Sequence, residues 1–176
     1  MIVLFGLAMM VIVVASNVLV QLPINDWLTW GAFTYPVAFL VTDLANRRHG
    51  PAPARRIVYL GFGLAVLCSI LLASPRIALA SGTAFLMAQL LDVSVFDRLR
   101  RGRWWRAPLI SSAIASVLDT FVFFTLAFAG TGLPWIGWGI GDLAVKLAVA
   151  LALLLPFRAL MGARDALPAG EAAWAR

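Results

Sequence analysis

Residues 111–124 read SSAIASVLDTFVFF, an apolar run broken only by small hydroxyls and by one carboxylate, Asp119. With its flanks the run extends from Ala107 to Gly130 without a second charge. That length suffices to cross a bilayer, which takes about 20 mainly apolar residues per helix. A rise of ~1.5 Å per residue puts Asp119 near the middle of the crossing. A charge at the bilayer centre costs at least ~3 kcal/mol, so the fold and the function both turn on what this carboxylate meets.

The remainder of the chain has the same character. Of 176 residues, 62% are hydrophobic and 12% charged, and the mean hydropathy is +0.94. A soluble domain carries roughly 25% charged residues, so the bilayer is the solvent this composition fits. Six apolar spans follow from the pattern: Ile2–Leu22, Thr29–Ala45, Ile57–Ser74, Ile77–Phe96, Ala107–Gly130 and Pro134–Met161. The first lacks the basic start of a signal peptide and its apolar run is long for one, so it reads as a retained helix. Pro36 interrupts the second, which a bundle tolerates where neighbours satisfy the freed carbonyl. The expected fold is all-α: a six-helix membrane domain over residues 1–162 and a mobile cytoplasmic tail over 163–176.

Charge sets the orientation. The basic residues gather at Arg47, Arg48, Arg55 and Arg56, at Arg98 to Arg106, and at Arg158, Arg164 and Arg176. All of these fall on one side of the six spans; Arg76 alone falls on the other, and Lys146 lies inside a span. The positive-inside rule places the arginine side and both termini in the cytoplasm of a multi-pass protein. Tryptophans at 27, 30, 135 and 138 mark the outer interface, and Trp104 and Trp105 the inner one, as interfacial tryptophans do generally. The same clustering explains the net charge of +6 without nucleic acid. One cysteine and one histidine exclude an intrachain disulfide and supply no cysteine–histidine metal set. No G-x-x-x-x-G-K-[ST], G-x-S-x-G or H-E-x-x-H occurs, so the common phosphate-loop and hydrolase signatures are missing. No cofactor or enzymatic role is expected.

Polar residues within the spans are the candidates for function, because they face the bundle interior and mark sites or pathways. Phe85, Gln89, Asp92 and Phe96 follow helical spacing on one face of span four, and Ser112, Ser116, Asp119 and Phe123 do so on span five. Asp142 and Lys146 on span six form an i, i+4 pair in the favourable order, acid first. A structural ion pair explains them as well as a site does. Asp43 reads either as a helix-capping or arginine-binding residue or as part of the site. Asn17 reads as an interhelical hydrogen bond or as a ligand group. The serines equally fit close packing, and so does the G-x-x-x-G spacing of Gly137 and Gly141. No cation lies within a turn of Asp119 on its own helix, which makes it the hardest to dismiss. The physical reading is a transporter with an acidic, aromatic-lined midplane site for a small polar or aromatic solute.

Three stretches narrow that reading. TYPVAFLVTDLANRRHG (34–50), ASGTAFLMAQLLDVSVFDRLR (80–100) and WWRAPLISSAIASVLDTFVFFTLAF (104–128) resemble the YhhQ-type queuosine-precursor transporters of the VUT, or vitamin uptake transporter, family. The resemblance covers about residues 10–160. It implies a six-helix bacterial inner-membrane protein that imports 7-cyano-7-deazaguanine, and 7-aminomethyl-7-deazaguanine as a second substrate, for queuosine modification of tRNA. It carries Asp43, Gln89, Asp92 and Asp119 as family residues, with Lys146 matching a lysine of the last helix. Asp142 and Asn17 are less secure as family marks.

The chemistry of such a base suits these residue types. Its guanine-like edge presents two adjacent donors that Asp119 or Asp92 would accept. Its carbonyl oxygen takes a donor such as Gln89, Asn17 or Lys146. Tyr35, Phe39, Phe85 and Phe123 offer faces for stacking, worth ~1–3 kcal/mol per base. Energy coupling, by uniport or proton symport, stays open at this stage. The reading from another class is the substrate-binding subunit of an energy-coupling-factor importer, which would need a transmembrane partner and ATPases. An intramembrane enzyme is a third, with no motif to support it. The expected partners are the small-molecule substrate and the lipid bilayer; a homodimer is compatible with so small a bundle.

Overall fold

A computed structural model describes residues 2–19, 22–25, 28–72 and 75–161. Helix α1 (Ile2–Leu19) leads into a short antiparallel ribbon of β1 (Pro23–Asn25) and β2 (Leu28–Thr29). Then come α2 (Gly31–Thr34), α3 (Val37–His49), α4 (Pro51–Leu72), α5 (Pro75–Leu99), α6 (Arg106–Phe128) and α7 (Trp135–Leu160). The helical class follows from composition as expected, and the ribbon is an addition. The sequence reading carried the first helix to Leu22 and began the second at Thr29. The chain instead turns back there, because Pro23 has no N–H with which to extend a helix. Among the described residues, α5, α6 and α7 are long and apolar enough to cross a membrane.

The Pro36 interruption is a real break. It divides the expected second span into α2 and α3, and tight bonds bridge the joint: Ala38 N–H to the Tyr35 carbonyl (3.0 Å) and Phe39 N–H to the Pro36 carbonyl (3.1 Å). Beyond the joint, α3 threads the middle of the bundle and packs against α1, α4, α5, α6 and α7. Buried α3 residues include Thr42, Asp43, Asn46 and Arg47. The helix with the most polar interior content is thus enclosed by apolar ones, the arrangement that a hydrocarbon solvent selects.

Around it, α5 runs along α6, α6 along α7, and α4 lies between α1 and α5. The basic segments come together at one end. Arg47 donates to the Arg100 carbonyl and Arg100 returns a bond to the Arg47 carbonyl (3.1 Å). Arg48 donates to the Leu160 carbonyl, and Arg158 lies 5.2 Å over the Trp104 ring. At the opposite end Arg76 caps α6, donating to the carbonyls of Leu126 (2.9 Å) and Ala129 (2.7 Å). These guanidiniums satisfy helix-terminal carbonyls that have no partner within their own helix.

Two glycines show where backbones must approach. On α7 the buried one is Gly139, beside Phe124 and Thr120 of α6, whereas Gly137 and Gly141 of the G-x-x-x-G spacing are exposed. On α4, a Cβ at Gly61 would sit 2.7 Å from Met9 Cγ and 3.2 Å from Phe85 Cζ. Met9 and Phe85 are themselves buried core residues, so neither has room to yield. Gly61→Val is predicted to overpack this α1–α4–α5 contact and to cost about 1–3 kcal/mol. Thermal unfolding of the purified variant in detergent checks it; an unchanged midpoint would show that the contact is slack.

Candidate functional site

Lys146 enters the bundle from α7 and is almost fully buried. An ammonium has three donors and no acceptor, and all three are used. Its Nζ lies 2.6 Å from Asp119 Oδ2, 2.5 Å from Asp142 Oδ2 and 3.2 Å from Thr120 Oγ1. Asp142 is one turn earlier on α7, whereas Asp119 and Thr120 come from α6. The cation that Asp119 lacks on its own helix is therefore supplied by the facing one. Thr120 Oγ1 also donates to Asp142 Oδ2 (2.8 Å). The Tyr35 hydroxyl, at the α2–α3 joint, donates to Asp119 Oδ1 (3.1 Å), with the Lys146 ammonium 5.6 Å from the Tyr35 ring centre. Two carboxylates and one ammonium leave this cluster with a formal charge of −1.

The cluster borders a cavity of about 140 Å³. Asp119, Asp142 and Lys146 line it together with the rings of Tyr35, Phe85 and Phe123. Tyr35 meets Phe85 edge to face at 6.1 Å between ring centres, and Phe39 likewise at 6.3 Å. A flat ligand would find an aromatic wall and a polar floor. Of the three charged groups Asp142 is the most accessible, its side chain 19% exposed against 5% for Asp119.

Other residues singled out from the sequence lie elsewhere. Gln89 is fully buried between α3 and α5, its Oε1 accepting from Thr42 Oγ1 (2.8 Å). Asp92 is also fully buried and is not part of the cavity lining. Asp43 accepts from Ser111 Oγ and Ser112 Oγ, both at 3.4 Å. Phe39 and Asp43 border a second, much smaller space of about 10 Å³, with Ser112, Ser116 and Lys146. The Asn17 side chain lies outside the described residues. On α5 the stripe Phe85, Gln89, Asp92 and Phe96 is buried throughout; on α6 Ser112, Ser116 and Asp119 are buried, whereas Phe123 is half-buried and lines the cavity. Sequence reasoning missed Thr120 and Thr42. Their signal was adjacency, since each hydroxyl stands next to an intramembrane aspartate in the chain. Among the described residues no group of three or more His, Cys, Asp or Glu could hold a metal ion.

Helices long and apolar enough to cross a membrane, with charged groups paired among them, define a class, the helical membrane proteins. The family described as "Putative vitamin uptake transporter" matches residues 29–74 and 68–161. The chain is 35% identical to the "Queuosine precursor transporter" of Escherichia coli (strain K12), over 84% of this chain and 80% of that one. It is 34% identical to the "Probable queuosine precursor transporter" of Haemophilus influenzae, covering 82% and 79%. To that of Bacillus subtilis (strain 168) it is 30% identical, covering 73% and 69%. No solved structure matches the chain. The chain belongs to the vitamin uptake transporter family, and is a bacterial membrane protein.

Removing one partner of a buried ion pair leaves an uncompensated charge and costs roughly 3–5 kcal/mol. Lys146→Ala is therefore predicted to lower stability by about that much. Asp142→Asn should cost distinctly less, because Lys146 keeps Asp119. Combining Lys146→Ala with Asp119→Asn and Asp142→Asn should recover much of the loss, since no net buried charge is left. Detergent melting curves of the four proteins test this ordering; equal midpoints would refute the cluster as a stabilising unit.

Proposed function

We propose that this protein is an inner-membrane importer of queuosine precursors, taking 7-cyano-7-deazaguanine and 7-aminomethyl-7-deazaguanine into the bacterial cell for tRNA modification. The observation that carries the reading is the acid–lysine cluster at the floor of an aromatic cavity, in a chain whose relatives bear the queuosine-precursor name. The bound base stacks on Tyr35 and Phe85. Its two adjacent N–H donors turn toward the carboxylates, and its carbonyl oxygen turns toward a donor. Asp119 already accepts from both Tyr35 and Lys146, so a two-donor ligand competes with the longer of these bonds, the Tyr35 hydroxyl at 3.1 Å. Release of that hydroxyl frees the α2–α3 joint to move, which links binding to a conformational step. Asp142, the more accessible carboxylate, is the first to meet the ligand.

The topology proposed with this reading has six crossings. The broken α2–α3 pair forms the second, and α1 and α4 form the first and third. Both termini face the cytoplasm. The gathering of arginines 47, 48, 100 and 158 at one end of the bundle supports it, given that basic residues stay on the cytoplasmic side. Residues 1–162 form the transporting domain, and 163–176 a cytoplasmic tail.

The test is rescue of queuosine in bacteria that can neither make the deazaguanine nor import it at trace concentration. Wild type is predicted to restore queuosine in tRNA, and Asp119→Asn to fail although it reaches the membrane. Purified protein adds a second readout. A hydrogen bond to a charged group is worth about 1.5–3 kcal/mol, so Asp119→Asn should weaken deazaguanine binding roughly 10- to 100-fold. Binding equal to wild type would remove Asp119 from the site. Uptake into vesicles containing this chain alone distinguishes an importer from a binding subunit that needs ATPase partners.

A further inference from the structure

The bundle buries a second acidic centre that the cavity cluster does not use. Asp43 on α3 is 2% exposed and Asp92 on α5 is 0% exposed. Thr42 of α3 bonds Gln89 of α5 and Asn46 of α3 bonds the Val93 carbonyl of α5, so Asp43 and Asp92 lie at the same level of the α3–α5 contact, with Ser111 and Ser112 of α6 beside Asp43. The two serine hydroxyls reach Asp43 only at 3.4 Å. Neither oxygen of Asp92 receives a well-formed hydrogen bond. Just outward on α5, Gln89 is also fully buried with Nε2 unpartnered.

An ionised carboxylate accepts and never donates. Two of them side by side in a dry interior repel, and such a pair retains a proton between them. One proton converts the repulsion into an O–H···O⁻ hydrogen bond, which is short and strong. It also supplies the donor that Asp92 lacks. On α6 the titratable groups are Asp119, held by Tyr35 and Lys146, and Arg106, exposed in the first turn. Helix α1 carries no titratable side chain within Ile2–Leu19. On α4, Arg55, Arg56 and Tyr59 are exposed. On α5, Asp97 pairs with Arg100. On α3, Arg47 donates to the Arg100 carbonyl and the His49 ring packs against Phe5, both toward the basic end. Tyr35 bonds Asp119. Lys146 of α7 does border the small space beside Asp43, but its ammonium is held by Asp119 and Asp142.

Lys146 borders both that small space, which Asp43 also lines, and the cavity lined by Asp119 and Asp142. We propose that Asp43 and Asp92 form a proton-binding site and that one proton enters the cell with each substrate molecule. The coupling half of this rests on the importer reading above; the proton site does not. In each cycle one O–H bond forms on the dyad with a proton from the outer solution and breaks when that proton passes to inner water. No redox partner is required.

Infrared spectroscopy of the purified protein in lipid vesicles tests the site without substrate. At neutral pH a protonated-carboxyl C=O stretch is expected that shifts in D2O and disappears in Asp92→Asn. Asp43→Asn is the second variant should the first fail to assemble. A missing band, or one that both variants leave unchanged, overturns the site. Uptake of labelled 7-cyano-7-deazaguanine, with the membrane potential clamped, tests the coupling. An inward gradient of one pH unit should drive about tenfold accumulation in wild type, the equivalent of ~1.4 kcal/mol, and a protonophore should abolish it. Asp92→Asn should keep substrate exchange across the membrane and lose the accumulation. Wild-type uptake indifferent to the pH gradient overturns the coupling. Vesicles that move no deazaguanine under any gradient, with the infrared band intact, would sink the substrate reading while supporting the proton site.

Discussion

The Lys146 ammonium is the constraint on which the bundle depends. It lies between Asp119 of α6 and Asp142 of its own helix, with the Tyr35 hydroxyl closing the far side of Asp119. Burying three charges is costly, and only saturation of the donors and acceptors offsets it. That saturation fixes three things together: the register of α7 against α6, the position of the α2–α3 joint, and the shape of the cavity floor. A change at any member therefore acts both on the fold and on the shape of the cavity floor.

The inside-out polarity of the bundle has a simple origin. Lipid supplies no hydrogen bonds, so polar side chains gather where other protein groups can meet them. Helix α3 shows the consequence. Thr42 bonds Gln89, Asn46 bonds the Val93 carbonyl, and Asp43 meets serines of α6. Each contact ties α3 to a different neighbour or level. The break at Pro36 lets this polar helix begin inside the bundle, just below the cavity, rather than at its end.

Much of this was legible in the chain. The apolar runs gave the helices to within a few residues, and the arginine clusters do meet at one end. The helical stripes on α5 and α6 gave the buried faces, because 3.6-residue periodicity is a property of the sequence alone. The ribbon at Pro23–Thr29 was missed, since so short a hairpin carries no hydrophobic alternation to read. The G-x-x-x-G spacing pointed to the wrong glycines: close approach is decided by the facing helix, and Phe124 faces Gly139.

The candidate site divides along the same line. The sequence by itself marked Asp43, Gln89, Asp92, Asp119 and Lys146 as polar groups within the spans, and all five are buried, since a polar side chain within an apolar run turns toward the bundle interior. It did not determine the pairings. Tyr35 and Asp119 are 84 residues apart, and Asp119 and Lys146 are 27 apart. No local spacing rule reaches that far, whereas the i, i+4 pairing of Asp142 with Lys146 was readable. Only helix packing decided that Asp119 meets the Lys146 ammonium while Asp92 is buried with neither oxygen hydrogen-bonded. The physical reason is that a helix dictates the direction of each side chain, but the rotation and depth of its neighbour dictate what that side chain meets.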